Sequence, residues 1–267
     1  MRQLLALAGA RLQAPVGTTV RIAGVTPTGE RWQSELACEP HRGEWAEPIG
    51  NYPSLPLEWE TRLADGIAYL RLSVFAPAAM RPLRTFLRGL KAGDGLIIDL
   101  RGNPGGITAM APGLAGWLMD RETSLGSVRL RRGGMGYPVY PQEGAFLGPV
   151  ALLIDGGSAS TSEILAAGLR DLGRARLFGE RSAGAALPSL FKTLPNGDLF
   201  QYAIGDIRSP RGQSLEGTGV APDEAVGRTA ADLASGVDAP LAAATAWLRS
   251  RLGNENRESK RGGGSGS

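Results

Sequence analysis

From residue 66 onward, apolar positions alternate between short runs and helical stripes. Gly66 to Leu72 reads as a strand. Pro77 to Leu90 carries Met80, Leu83, Phe86, Leu87 and Leu90 on one face, which predicts an amphipathic helix. Gly95 to Leu100 is a strand of the kind buried on both faces. A helix follows over Ile107 to Leu118, then strand-like segments at Ser127 to Arg131 and Pro149 to Ile154. Ile164 to Leu172 has helical spacing. Ala175 to Gly179, Ser189 to Thr193 and Leu199 to Ile204 read as strands, and Asp238 to Leu252 as a closing helix. Strand–helix alternation predicts an α/β domain. The alternation is irregular and no Gly-x-Gly-x-x-Gly follows a strand, which disfavours a dinucleotide fold.

The first 65 residues read differently. Residues 3–13 have the spacing of an amphipathic helix; the start also has the basic and apolar character of a signal peptide, but its apolar stretch is short. Gly17 to Gly24 and Arg31 to Cys38 predict two strands around a turn at Thr26 to Glu30. Glu39 to Leu57 is rich in proline, glycine and charge and reads as a linker. A helix and a hairpin are too little to fold alone, so this part reads as the end of another unit. Asn254 to Arg261 predicts a solvated tail, and Gly262 to Ser267 has the composition of a linker scar.

Composition narrows the chemistry. The 39 glycines and 18 prolines among 267 residues lie between periodic segments, so they mark turns rather than disorder. Net charge is +3, and no basic stripe with interleaved aromatics supports nucleic-acid binding. No apolar run has the length of a membrane span. The single Cys38 precludes an internal disulfide, and with the single His41 it cannot form a His/Cys metal site.

Four turn regions stand out: 101–106, 156–163, 180–188 and 215–222. Each follows a strand-like stretch. If the strands are parallel, the turns gather at the carboxyl ends of the sheet, where α/β sites form. The second contains Ser158, Ser160 and Ser162 at a strand-to-helix junction. A serine there is either a helix cap or a nucleophile held near the positive end of a helix dipole. Both readings stay open on the residues alone.

Asp99-Leu-Arg-Gly-Asn-Pro-Gly-Gly106, Gly156-Gly-Ser-Ala-Ser-Thr-Ser-Glu-Ile164, Gly173-Arg-Ala-Arg-Leu-Phe-Gly-Glu-Arg181 and Gly217-Thr-Gly-Val-Ala-Pro-Asp223 together resemble the C-terminal-processing (tail-specific) serine peptidases and the related tricorn core. The resemblance covers residues 66–226. It implies an α/β crotonase/ClpP-like catalytic domain over 66–252, the C-terminal part of a PDZ-like domain over 1–45, a linker over 46–65 and a tail over 253–267. It implies polypeptide substrates and no cofactor. It leaves room for a homo-oligomer and suggests the bacterial cell envelope or exterior.

Carried over by position, the resemblance makes Ser160 the nucleophile and Ser158 and Ser162 helix-start residues. The oxyanion donors are then the N–H of Thr161 and that of Gly105 or Gly106. Asp99 and Arg101 pin the turn below. Asp171 matches an acidic position that supports activity, beside the alternative of an ordinary helix-end residue. In the lysine-dependent branch the base lies 25 residues after the nucleophile, where this chain has Ala185; the glutamine expected four residues later is Ser189. Lys192 is the nearest lysine and falls in a strand-like stretch, while His41 reads as an exposed loop residue. The tricorn-like branch uses a histidine oriented by a glutamate at the position of Glu216. That branch places its histidine before the PDZ domain, so the chain is expected to be shortened at its N-terminus. Two functions follow: a tail-specific endopeptidase, or an impaired relative that binds peptides or serves as a scaffold. An acyl-CoA enzyme on the same architecture fits the serine motif poorly.

Overall fold

A computed structural model of the chain describes residues 14–26, 28–40, 44–47 and 56–262, with side chains to residue 254. The predicted helix at 3–13 and His41 lie outside the described residues. In chain order, β1 (Thr19–Val25) and β2 (Arg31–Ala37) form an antiparallel hairpin. The short strands β3 (Glu44–Trp45) and β4 (Pro56–Leu57) pair, and Ala46 and Leu57 beside them are buried. There follow β5 (Trp59–Ala64), β6 (Ile67–Leu72), α1 (Pro77–Arg88), β7 (Gly95–Asp99) and α2 (Met110–Ala115). Next come β8 (Thr123–Leu130), β9 (Gly134–Val139), β10 (Val150–Ile154), α3 (Thr161–Asp171) and β11 (Arg176–Gly179). The chain ends with β12 (Ser189–Thr193), β13 (Leu199–Ala203), β14 (Gly205–Arg208), β15 (Glu224–Ala225), α4 (Ala230–Ser235) and α5 (Ala239–Gly262).

The central sheet has the order β15-β11-β10-β7-β6-β5. Every pair is parallel except β5 with β6. Each residue of β7 and β10 is buried, as the middle of a sheet covered on both faces requires. Leu96, Ile98, Leu152 and Ile154 share one core with Leu83 and Leu87 of α1, Leu114 of α2 and Leu165 of α3. Ile97, Ala151, Leu153 and Phe178 point the other way, against Ala244 and Leu248 of α5. The helix lies close: a Cβ at Gly95 would stand 3.1 Å from Leu248 Cδ2. A second sheet has the order β14-β8-β9.

The structure departs from the sequence reading in several places. β5 lies inside the predicted linker, 46–65, and extends the sheet. Its side chains are almost all exposed, so no core pattern marks it. The signal was in the turn: Asp65 (φ 53°) and Gly66 (φ 71°) form the positive-φ pair of a tight hairpin. The predicted helix at 107–118 shortens to α2, which already contains Pro112 and Gly113, both poor helix formers. The predicted tail at 253–262 continues α5, because Asn254 to Arg261 has neither glycine nor proline and is rich in helix-forming Glu, Arg and Lys. β9, β14 and α4 were not anticipated.

One ion network joins the sheet to α5. Asp99, fully buried at the end of β7, accepts hydrogen bonds from the Tyr69 hydroxyl (2.7 Å) and from Arg101 Nη2 (2.6 Å). Arg101 also donates to both carboxylate oxygens of Asp238, at 2.7 and 2.8 Å. Burial alone would lower the Arg101 pKa, but the bonds to Asp99 and Asp238 outweigh it and leave the pKa raised. Burial alone would raise Asp238; the Arg101 guanidinium outweighs that and holds the carboxyl below its usual range. Arg101→Ala strands the buried Asp99 carboxylate and is expected to cost about 3–5 kcal/mol in urea unfolding at pH 7. Because the folded pKa of Asp238 is depressed, its contribution is complete above its unfolded pKa of about 3.9 and is lost as pH falls through the folded value. The stability gap between the wild-type chain and Asp238→Asn should therefore narrow as pH drops below about 4.

Candidate active site

β7, β10 and β11 are parallel neighbours, so their following turns emerge at one end of the sheet. The turn after β10 leads into Ser160, the residue capping α3. Its backbone sits at φ 54°, ψ −116°. Among the described residues only it and Asp65 are non-glycine residues with positive φ. Such a conformation costs about 1–3 kcal/mol and persists only where its surroundings impose it.

The surroundings are a lacing of hydrogen bonds between the turns after β7 and β10. Ser158 Oγ donates to the Leu100 carbonyl at 2.7 Å, and Ser162 Oγ to the Asn103 carbonyl at 3.0 Å. Thr161 Oγ1 donates to the Gly106 carbonyl at 3.0 Å. The Ala159 N–H also donates to the Asn103 carbonyl, and the Gly102 N–H to Asp155 Oδ1. Ser158 and Ser162 thus stitch loop to loop; Ser158 does not cap the helix, because its hydroxyl spans to Leu100 and takes the Asp155 N–H.

Gly105 packs directly on Ser160. A Cβ there would fall 2.7 Å from Ser160 Cβ and 2.9 Å from the Ala159 carbonyl oxygen. Its N–H donates to Asn103 Oδ1 at 2.9 Å, and its carbonyl accepts the Phe75 N–H at 2.7 Å. The expectation that Gly105 supplies an oxyanion donor is thereby corrected: the Asn103 side chain closes the turn on that N–H. The N–H groups of Gly106 and Thr161 have no acceptor among the described residues.

Glu163 was not singled out by sequence reasoning. It is fully buried and accepts four hydrogen bonds. Oε1 takes the Ser182 hydroxyl and the Gly184 N–H, both at 2.6 Å; Oε2 takes the N–H groups of Ala185 (2.9 Å) and Ser160 (3.1 Å). The Ser160 N–H is shared with the Ala185 carbonyl at 3.0 Å. The available signal was the Ser-x-x-Glu spacing of a capping box.

The remaining expected residues divide. Glu216 Oε2 accepts the N–H groups of Ala186 (2.8 Å) and Leu187 (3.2 Å), so this carboxylate stands beside the segment that meets Ser160. Its turn, 215–222, arrives from β14 rather than from a strand of the central sheet, and joins the cluster through Gly217 N–H to the Gly184 carbonyl. Asp171 is not brought to Ser160. It ends the 11-residue α3, about 16 Å along the axis at 1.5 Å per residue. There it accepts the Ser209 hydroxyl and the Arg211 N–H, anchoring a loop. Lys192 is exposed on β12 opposite Phe200, and no bond links it to Ser160. Among the described residues no cluster of His, Cys, Asp or Glu is suited to a metal ion.

A serine at a helix start, backed by unengaged N–H donors, has the layout for acyl transfer. Glu163→Gln keeps the size of the side chain but sets an amide among four donors. It is expected to destabilise the chain by about 2–3 kcal/mol. It should also slow the reaction of Ser160 with a fluorophosphonate, read by mass spectrometry of the labelled peptide.

Residues 66–226 match Peptidase family S41. A carboxyl-terminal-processing protease of Synechocystis is 31% identical over 169 residues, covering 62% of this chain and 39% of the relative. The chain thus spans about two fifths of the length of the curated relatives it matches. The structure of the photosystem II D1 C-terminal processing protease superposes with a TM-score of 0.58 at 22% identity, over 79% of this chain and 56% of that one. The tricorn protease superposes at 0.50 with 18% identity, over 88% of this chain and 22% of that one. These two likenesses concern the α/β fold. The alternative of an impaired relative finds no support among the matched proteins. With the family match running through all four turns of the site, the chain belongs to peptidase family S41, that of the carboxyl-terminal-processing proteases.

Proposed function

We propose that the chain is a serine endopeptidase of the C-terminal-processing type, acting on polypeptides through an acyl-enzyme at Ser160. The observation that carries this reading is the strained Ser160 at the head of α3, with the nearby N–H groups of Gly106 and Thr161 left without an acceptor among the described residues. Ser160 Oγ gives its proton to a general base, which later passes it to the leaving amine, and attacks the scissile carbonyl carbon. The carbonyl oxygen becomes an oxyanion and accepts from those two N–H groups. Such a donor stabilises the transition state by about 3 kcal/mol. Collapse expels the amine, which takes a proton, and water then hydrolyses the ester.

The same proposal favours the tricorn-like branch. Ala185 stands where the other branch has its lysine, and Glu216 Oε1 has no partner among the described residues, which suits it to orient an imidazole. The proposal also takes the domain of residues 66–252 as crotonase/ClpP-like and the β1–β2 hairpin as part of a PDZ-like domain. In support of the latter, β1 and β2 pair only with each other among the described residues. It admits assembly into a homo-oligomer.

A fluorophosphonate probe should label Ser160 in the wild-type chain and not in Ser160→Ala; a folded wild-type chain without label would overturn the nucleophile. Gly105→Ala should lower peptide hydrolysis about 100-fold, since its methyl group displaces the nucleophile. His41→Ala separates the bases: unchanged hydrolysis removes His41, whereas complete loss assigns it the role.

A further inference from the structure

α1 carries an arginine stripe. Arg81, Arg84 and Arg88 are exposed at three- and four-residue spacing, and the helix sequence contains no acid. Like charges so placed oppose helix formation unless something neutralises them. Arg88 lies over the Trp117 ring, 5.5 Å from its centroid. Arg81 and Arg84 make no ion pair or side-chain hydrogen bond among the described residues. With Pro77, Met80, Gly113 and Trp117 they line a groove of about 470 Å³.

The groove has an apolar floor and a cationic rim. Met80 is half-buried and Trp117 buried, while both arginines reach solvent. Gly113 lies inside α2, where glycine weakens a helix. A Cβ there would meet only Met80 Cε, at 3.7 Å, so its absence keeps space open over Met80. The groove also adjoins the site. Pro77 is two residues beyond Phe75, which donates its N–H to the Gly105 carbonyl and accepts the Ile107 N–H, bracketing Gly106. A larger cleft of about 640 Å³ at the other end of the sheet also has arginines, of which Arg174 and Arg176 are engaged. There Arg174 donates to the carbonyls of Leu118, Phe146 and Gly148, and Arg176 pairs with Glu224.

We propose that the α1–α2 groove binds an acidic stretch of the polypeptide substrate, its carboxylate side chains on Arg81 and Arg84 and an apolar neighbour over Met80 and Trp117. This rests on the peptidase reading of Ser160. Guanidinium groups receive carboxylates through paired N–H donors. Arginines at i and i+3 stand about 5–6 Å apart at Cβ, close to the roughly 6.7 Å between alternate side chains of an extended peptide. A neutral or basic segment finds no complement at this rim.

The test uses quenched-fluorescent peptides with amidated C-termini, identical except that one has two Glu residues where its twin has two Gln. A third peptide is the Gln sequence with a free C-terminus. For the wild-type chain at low salt, KM for the Glu peptide should lie about three- to tenfold below that of its twin, with kcat alike. The difference should vanish in Arg81→Gln/Arg84→Gln and fade at high salt. Anisotropy of the same peptides, dye-labelled, on Ser160→Ala reads the preference without hydrolysis. Fluorophosphonate labelling of Ser160, unchanged in the double variant, reports the peptidase reading separately. Equal affinity for Glu and Gln peptides overturns the proposal. So does a preference that survives the double variant, or one that follows the free C-terminus.

Discussion

The carboxylate of Glu163 is fully enclosed, and everything at the site is arranged around satisfying it. A buried charge without donors is too costly to keep. Here the donors are three backbone N–H groups and one hydroxyl, drawn from Ser160 and from residues 182–185. No single element could provide them. The carboxylate therefore fixes the distance between the head of α3 and the segment after β11. The position of Ser160 and that of the segment facing it become one constraint rather than two.

The strain at Ser160 is offset by many weak bonds. Each hydroxyl-to-carbonyl bond between the turns after β7 and β10 is worth about 1 kcal/mol net. The three together, at about 3 kcal/mol, are enough to offset one residue at φ 54°. They also explain the crowding of small polar residues around the site. Ser158, Thr161 and Ser162 are short enough to bond across adjacent turns without parting them. Gly105 has to lack a side chain because the turns already touch.

The parts of the fold that bury side chains were legible in the sequence: β7 and β10 as apolar runs, α1 by its stripe, and the turns by their glycines. What stayed hidden depends on backbone rather than side chain. β5 pairs through its main chain while its side chains face solvent. Glu163 has the look of a solvated first-turn acid, because its partners are N–H groups that leave no sequence trace. Motif spacing treats Gly105 and Gly106 alike, and the difference between them lies in which N–H the Asn103 side chain takes. Asp171 was named through the resemblance alone, and the helix that starts at Thr161 carries it to the end away from Ser160.

Arg101 and Asp238 are 137 residues apart along the chain, yet their contact clamps the turn after β7, which is laced to the turn of Ser160. A chain emerging from the ribosome has made β7, β10 and the serine long before it has made Asp238. Until the last helix is available, the guanidinium has only Asp99 and the turn is held at one end. Pairings of such long sequence separation are closed late, after the entropy of the intervening loop has been overcome. The order of synthesis thus acts as a timer: the turn after β7 is fastened at its second end only once Asp238 has been made.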